Sequence, residues 1–128
     1  LVPLAVLVGP ITVSSNASDY PDMRTAYTYV ADHYQAGEVV LIQGPRFYYW
    51  PDRTIPVHKL GGYKSLSLPE FKALAQRGTS GGWVVYNVTH QRHLRDNIKQ
   101  YVSKRFDRIT ELSDTDVLVS HFSPEDVK

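Results

Sequence analysis

The feature that most constrains this chain is a change of hydrophobic period within one short stretch. Met23, Ala26, Tyr27, Val30, Ala31 and Tyr34 recur at the spacing of a single helical face. Gly37 interrupts the pattern as a natural C-terminal stop. Glu38 then leads into Val39-Val40-Leu41-Ile42, a continuous apolar run rich in β-branched residues. A strand with one wet face would alternate, so an unbroken run reads as a strand covered on both faces. A chain that must bury a helical stripe and both faces of a strand needs helices layered on a sheet.

The remaining segments extend that reading. Tyr20-Pro21-Asp22 opens the first helix, since proline costs nothing in a first turn and an acid there complements the helix dipole. Ile55 to Leu60 is a second strand, placed near an edge by Pro56. Ser67-Leu68-Pro69-Glu70 has the capping-box pattern and starts a helix through Phe71, Leu74 and Ala75 that stops near Gly78. Trp83 to Val88 is a third strand. Thr89 is the expected cap of a third helix whose buried stripe is Leu94, Ile98, Tyr101 and Val102. Ile109 to Leu112 and Val117 to Phe122 are expected to form a terminal hairpin.

Strands separated by helices favour parallel pairing through right-handed crossovers. The expected fold is therefore α/β, a three-layer Rossmann-like sandwich with a mostly parallel sheet of about five strands and a C-terminal antiparallel hairpin. Residues 16–122 make one domain, and residues 123–128 are expected to fray. The apolar opening, residues 1–15, carries no charge and reads as the outer end of a membrane span or as a first buried segment. It is too short for a whole span, which needs roughly 20 apolar residues. It also lacks the basic start of a secretory signal. The opening residue is leucine rather than methionine, so the chain reads as a fragment of a longer protein.

Composition removes several classes of function. Basic and acidic side chains number 14 and 13, for a net charge of +1, so no concentrated basic field exists to hold nucleic acid. Without cysteine there is no disulfide, thiolate nucleophile or cysteine metal site. The glycines at Gly61-Gly62 and from Gly78 to Gly82 match neither a P-loop nor a dinucleotide fingerprint and read as turns. His90 and His93 can share a helix face, but spacing supplies no third ligand, and His58 and His121 fall on strands elsewhere. No nucleophile elbow occurs. The acidic pairs Asp19 with Asp22, Asp114 with Asp116 and Glu125 with Asp126 read as a helix start, a turn and a solvated tail. No catalytic residue, cofactor or metal is expected.

Two features remain as candidate sites. Asn16-Ala17-Ser18 and Asn87-Val88-Thr89 match the N-glycosylation acceptor pattern, which makes Asn16 and Asn87 acceptors only if the surface faces a glycosylating compartment. Arg46-Phe47-Tyr48-Tyr49-Trp50 follows the first buried strand, at the end where open α/β sheets take ligands. Arg46, Tyr48, Tyr49 and Trp50 are therefore the candidate ligand contacts, suited to stacking on a sugar or a lipid headgroup. The alternative is that these rings pack the domain against neighbouring protein.

The order Tyr20-Pro21-Asp22-Met23-Arg24, helix Ala26 to Tyr34, Ala36-Gly37-Glu38-Val39-Val40-Leu41, Phe47-Tyr48-Tyr49 and Gly82-Trp83-Val84-Val85 resembles the C-terminal region of polytopic membrane glycosyltransferases. These are the GT-C class enzymes of the dolichyl-phosphate-mannose protein mannosyltransferase and lipid A aminoarabinose transferase type. The resemblance spans about residues 1 to 122 through short, degenerate motifs. It implies an extracytoplasmic domain attached to a membrane-embedded part of the same polypeptide, which would use a polyprenyl-phosphate sugar donor. It implies catalytic residues outside this chain, and a glycan or lipid-linked acceptor near Tyr48 and Tyr49. The rival readings are a freestanding small-ligand or nucleotide-binding α/β module and a structural interaction domain.

Overall fold

The computed structural model describes residues 23–43, 49–60, 66–87, 94–112 and 116–128. Helix α1 (Met23–His33) buries Met23, Ala26, Tyr27 and Val30. Gly37 turns the chain at φ +89°, where a side chain would be strained, and the Glu38 N–H closes the turn on the Gln35 carbonyl at 3.1 Å. Strand β1 (Val39–Gln43) follows, buried at every position. The short strand β2 (Val57–Lys59) is next, then α2 (Leu68–Ala75), β3 (Gly82–Asn87), α3 (Asp96–Arg105), β4 (Asp107–Arg108) and β5 (Val117–Phe122). A 3-10 helix, Pro124–Val127, closes the chain.

The strands form one five-stranded open sheet in the order β2-β1-β3-β5-β4. β1 runs parallel to both its neighbours, with Val40 opposite Val57 on one side and Trp83 on the other. β5 runs antiparallel to both of its neighbours, with Val85 opposite Val119 and Asp107 opposite His121. The sheet is therefore mixed rather than mostly parallel. β2 lies at an edge, as Pro56 required, and the β4–β5 pair supplies the antiparallel edge expected of a terminal hairpin.

Alternation along β1 explains its unbroken apolar run. Val39 and Leu41 belong to a core with Phe71 and Ala75 of α2, Ile98 and Val102 of α3, and Phe122. Val40 and Ile42 face the other way and pack with Met23, Tyr27 and Val30 of α1, and with Trp83 and Val85. Helices thus cover both faces of the sheet. Each fully buried large apolar side chain contributes roughly 1.5–3 kcal/mol, so these two clusters are the main driving force of the fold. Among the described residues no helix is long and apolar enough to cross a membrane.

Three local expectations change. α3 begins at Asp96 with Arg95 as its N-cap, and Thr89, the expected cap, lies outside the described residues. Leu94 is buried ahead of the helix and extends its apolar face without being part of it. The strand expected over Ile109 to Leu112 is instead Asp107–Arg108, because the chain leaves α3 already extended at Phe106. Ile109 donates one further bond to Val119 at 2.9 Å before the chain turns at Thr110 and Glu111. Pairing with β5 sets this register, overriding the β-branched signal of Ile109-Thr110.

The third change is at the tail. Rather than fraying, it docks, with Val127 only 2% exposed in the α2–α3 core. Ser123 and Asp126 form a capping box, the Gln76 amide donates to the Val127 carbonyl at 2.6 Å, and the Tyr101 hydroxyl donates to the Asp126 carbonyl at 3.1 Å. The acidic pair Glu125 and Asp126 thus includes a helix-capping group, and Glu125 pairs with Lys128 at 2.8 Å.

Candidate functional site

The parallel pair β1 and β3 is where the strand order reverses. The chain leaves β1 toward β2 on one side and leaves β3 toward β5 and β4 on the other. The carboxyl ends of such a pair form the crevice that open α/β sheets use for ligands. Gln43, Tyr86 and Asn87 mark it, with Gln43 opposite Tyr86 and Asn87 opposite Val117. Gln43 is 3% exposed, and its Oε1 has no hydrogen-bond partner among the described residues.

Arg46 and Tyr48 lie outside the described residues, as do Asn16, His90 and His93. Tyr49 is half-buried, with the Arg24 guanidinium 4.2 Å from its ring centre. Trp50 is buried in the α1-side core. Its ring meets Tyr27 edge-on at 5.8 Å, and its indole N–H donates to the Asp52 carbonyl at 2.7 Å. Of the expected contact cluster, the structure thus joins Tyr49 to α1 and gives Trp50 to the interior. Asp52 makes a local turn, accepting from the Thr54 hydroxyl at 2.6 Å and the Thr54 N–H at 2.9 Å. Those bonds hold its carboxyl below the usual range.

A denser polar cluster sits at the opposite end of the same strands, on the α1 face. Glu38 precedes β1, Trp83 is the second residue of β3, and His121 is opposite Trp83 on β5. The Glu38 side chain is only 4% exposed. Its Oε1 accepts from the Gln35 N–H at 2.7 Å and from the Trp83 indole N–H at 2.9 Å. Its Oε2 lies 2.6 Å from His121 Nε2. A carboxylate this buried is tolerated because donors surround both oxygens. The His121 ring is 4.5 Å from the Trp83 ring, and the imidazole keeps 36% of its surface in solvent.

α1 lays a second layer on this cluster. Tyr29 and His33 stack at 4.0 Å, and both approach Trp83, at 6.0 and 6.4 Å. His33 Nδ1 lies 2.8 Å from the Tyr29 carbonyl, which fixes the ring by a bond within the helix. The Tyr29 hydroxyl donates to Glu111 at 3.1 Å, in the turn after β4. Desolvation, together with the bond to Glu111 and its charge, pushes the Tyr29 phenol above its ordinary value.

Chemically, the centre is a carboxylate–imidazole couple joined by the 2.6 Å Glu38–His121 contact. The indole and the Gln35 amide stabilise negative charge on the other oxygen. Among the described residues, no group of three histidine, cysteine or acidic side chains is placed to hold a metal. The couple joins β5 to the start of β1 across β3, so it fixes the relative position of three strands. Periodicity does not mark this cluster, because Glu38 only leads into an apolar strand and His121 lies within another. The available signal was the placing of polar residues against apolar runs, in Glu38-Val39-Val40 and in Ser120-His121-Phe122.

Comparison with protein-family models, with curated proteins and with solved structures found no match.

Proposed function

We propose that this chain is the extracytoplasmic, Rossmann-like α/β domain of a polytopic membrane glycosyltransferase that uses a polyprenyl-phosphate sugar donor, and that it performs no chemistry by itself. One observation carries the reading. Two of the short motifs on which the resemblance rests are far apart in sequence, yet they meet in one hydrogen-bonded unit. Gly37-Glu38-Val39-Val40 and Gly82-Trp83-Val84-Val85 pair in register, with Val39 opposite Gly82 and Val40 opposite Trp83. Glu38 accepts from Trp83, and the helix that begins at Met23 packs Tyr29 and His33 over that indole. These two motifs and α1 thus share a physical role, which is to organise the centre of the sheet. That suits a domain whose partner is the membrane-embedded part of the same polypeptide, with a glycan or lipid-linked acceptor near Tyr48 and Tyr49.

The test is the coding sequence upstream of Leu1, followed by an assay of the encoded enzyme in membranes. Several long apolar spans with an acidic residue in the first outer loop are expected. Sugar transfer from a polyprenyl-phosphate donor should vanish when that acid is replaced, and should fall when Tyr48 and Tyr49 are both replaced by alanine. An initiator methionine directly before Leu1, or a soluble upstream domain, overturns the reading.

A second reading, a small-ligand or nucleotide-binding α/β module, is favoured by the buried Gln43 Oε1 at the carboxyl ends of β1 and β3, which has no donor among the described residues. A buried acceptor without a donor is costly, and a bound ligand carrying an N–H or O–H would satisfy it. The same upstream sequence separates the two.

A further inference from the structure

α3 covers only part of the sheet on its side. Between α3 and the strands β3, β5 and β4 runs an open groove of about 500 Å³, on the opposite face of the sheet from the Glu38 cluster and reaching Tyr86 at the carboxyl end of β3. Lys99 and Lys104 border it from α3, Arg108 from β4, and Tyr86 and Ser120 from the sheet. The residues share one face of the sheet by register, since Arg108 is opposite Ser120 and Ser120 is opposite Val84, one alternation from Tyr86. Asp96 is the one carboxylate among the described lining residues, and it is held by Lys99 at 3.4 Å. Lys104 and Arg108 have no ion-pair partner among the described residues.

The helix dipole accounts for a lysine in the last turn of α3, and protection of a sheet edge accounts for a charged residue on β4. Neither accounts for both bordering one groove beside Ser120, which is 4% exposed. Burial raises the Tyr86 phenol, and the Arg108 charge acts on it in the opposite direction. The chain as a whole carries only +1, so this concentration of cations is local.

We infer that the groove between α3 and the β5–β4 edge is a binding site for an oxyanion of the phosphate class. The Arg108 guanidinium offers the planar pair of N–H groups that matches two phosphate oxygens, and Lys104 and Lys99 add point charges along the groove. The phosphate can belong to a free phosphate compound or to a lipid headgroup. The inference does not rest on the glycosyltransferase reading, and the test below is made on the chain itself.

Amide spectra of the full chain are followed while inorganic pyrophosphate is added, and co-sedimentation is measured with phosphatidylcholine vesicles containing phosphatidic acid. Saturable shifts at Ser103, Lys104, Arg108 and Ser120 are expected with pyrophosphate if the source is a free phosphate. Sedimentation with the acidic vesicles alone identifies a lipid headgroup. In whichever arm binds, Lys104→Gln with Arg108→Gln should weaken binding at least tenfold, and Arg77→Gln, outside the groove, should leave it unchanged. Both substituted residues are exposed, and retained dispersion of the spectra checks the fold. No binding in either arm, or binding that the double variant retains, overturns the proposal.

Discussion

Glu38 accepts three donors on a carboxylate that solvent barely reaches. Removing it strands the Trp83 indole N–H and takes from His121 its acceptor. Buried pairs lose about 3–5 kcal/mol when one partner is removed, but His121 is partly solvated and can rehydrate. Glu38→Ala should therefore cost about 2–3 kcal/mol, read as a lower urea midpoint with unchanged slope. Glu38→Gln keeps an acceptor for the indole and should cost less than the alanine change. Equal losses would show that packing, not the carboxylate, holds the cluster. Gly82 makes a separate demand, because a Cβ there would run into the Val39 carbonyl and lie 2.8 Å from the Phe122 ring. Backbone cannot yield as a flexible side chain can, so Gly82→Ala should destabilise the β1–β3 pairing by about 1–3 kcal/mol. Thermal unfolding of the variant checks this, and an unchanged midpoint would mean the strands can separate at no cost.

Among the elements, α2 and the C-terminal 3-10 helix use the same device at their starts. Ser67 accepts from the Glu70 N–H at 3.3 Å, and Glu70 accepts from the Ser67 N–H at 2.9 Å. That second bond, to the Ser67 backbone, is the main reason the Glu70 carboxyl lies below its usual range. Ser67→Ala should cost about 1 kcal/mol and speed amide exchange across α2. Unchanged exchange would show that Phe71, fully buried beneath the helix, sets its stability without the cap. At the other end of the chain, Val127→Ala should cost about 2 kcal/mol, because its side chain is buried among α2, α3 and Phe122. A frayed tail would register no loss. Ser67-Leu68-Pro69-Glu70 was legible as a cap because an apolar helical run follows it. Ser123-Pro124-Glu125-Asp126 has a similar beginning but no run after it, so only the docking of Val127 reveals its purpose.

For the whole molecule, the aromatic content sets a pH limit. Burial raises the phenols of Tyr27, Tyr86 and Tyr101 above the ordinary 10.0. Above that pH the unfolded chain releases protons that the folded chain retains. The stability these groups contribute is complete below the unfolded value and is lost as pH rises toward the folded ones. The urea midpoint should therefore be flat to about pH 9.5 and fall beyond it. Tyr27→Phe should flatten part of that fall, and an unaltered profile would assign the loss to other groups. The sequence by itself determined the helices at Met23, Leu68 and Ile98, the doubly buried β1, the edge position of β2 and the α/β class. Each of these follows from the spacing of apolar residues or from a local cap, which act within a few residues. Tertiary structure alone decided that β5 enters antiparallel between β3 and β4, that Trp50 belongs to the interior, and that Glu38, Trp83 and His121 meet. Those outcomes depend on which strands become neighbours and in what register, and a strand's periodicity states which residues are buried but not against what.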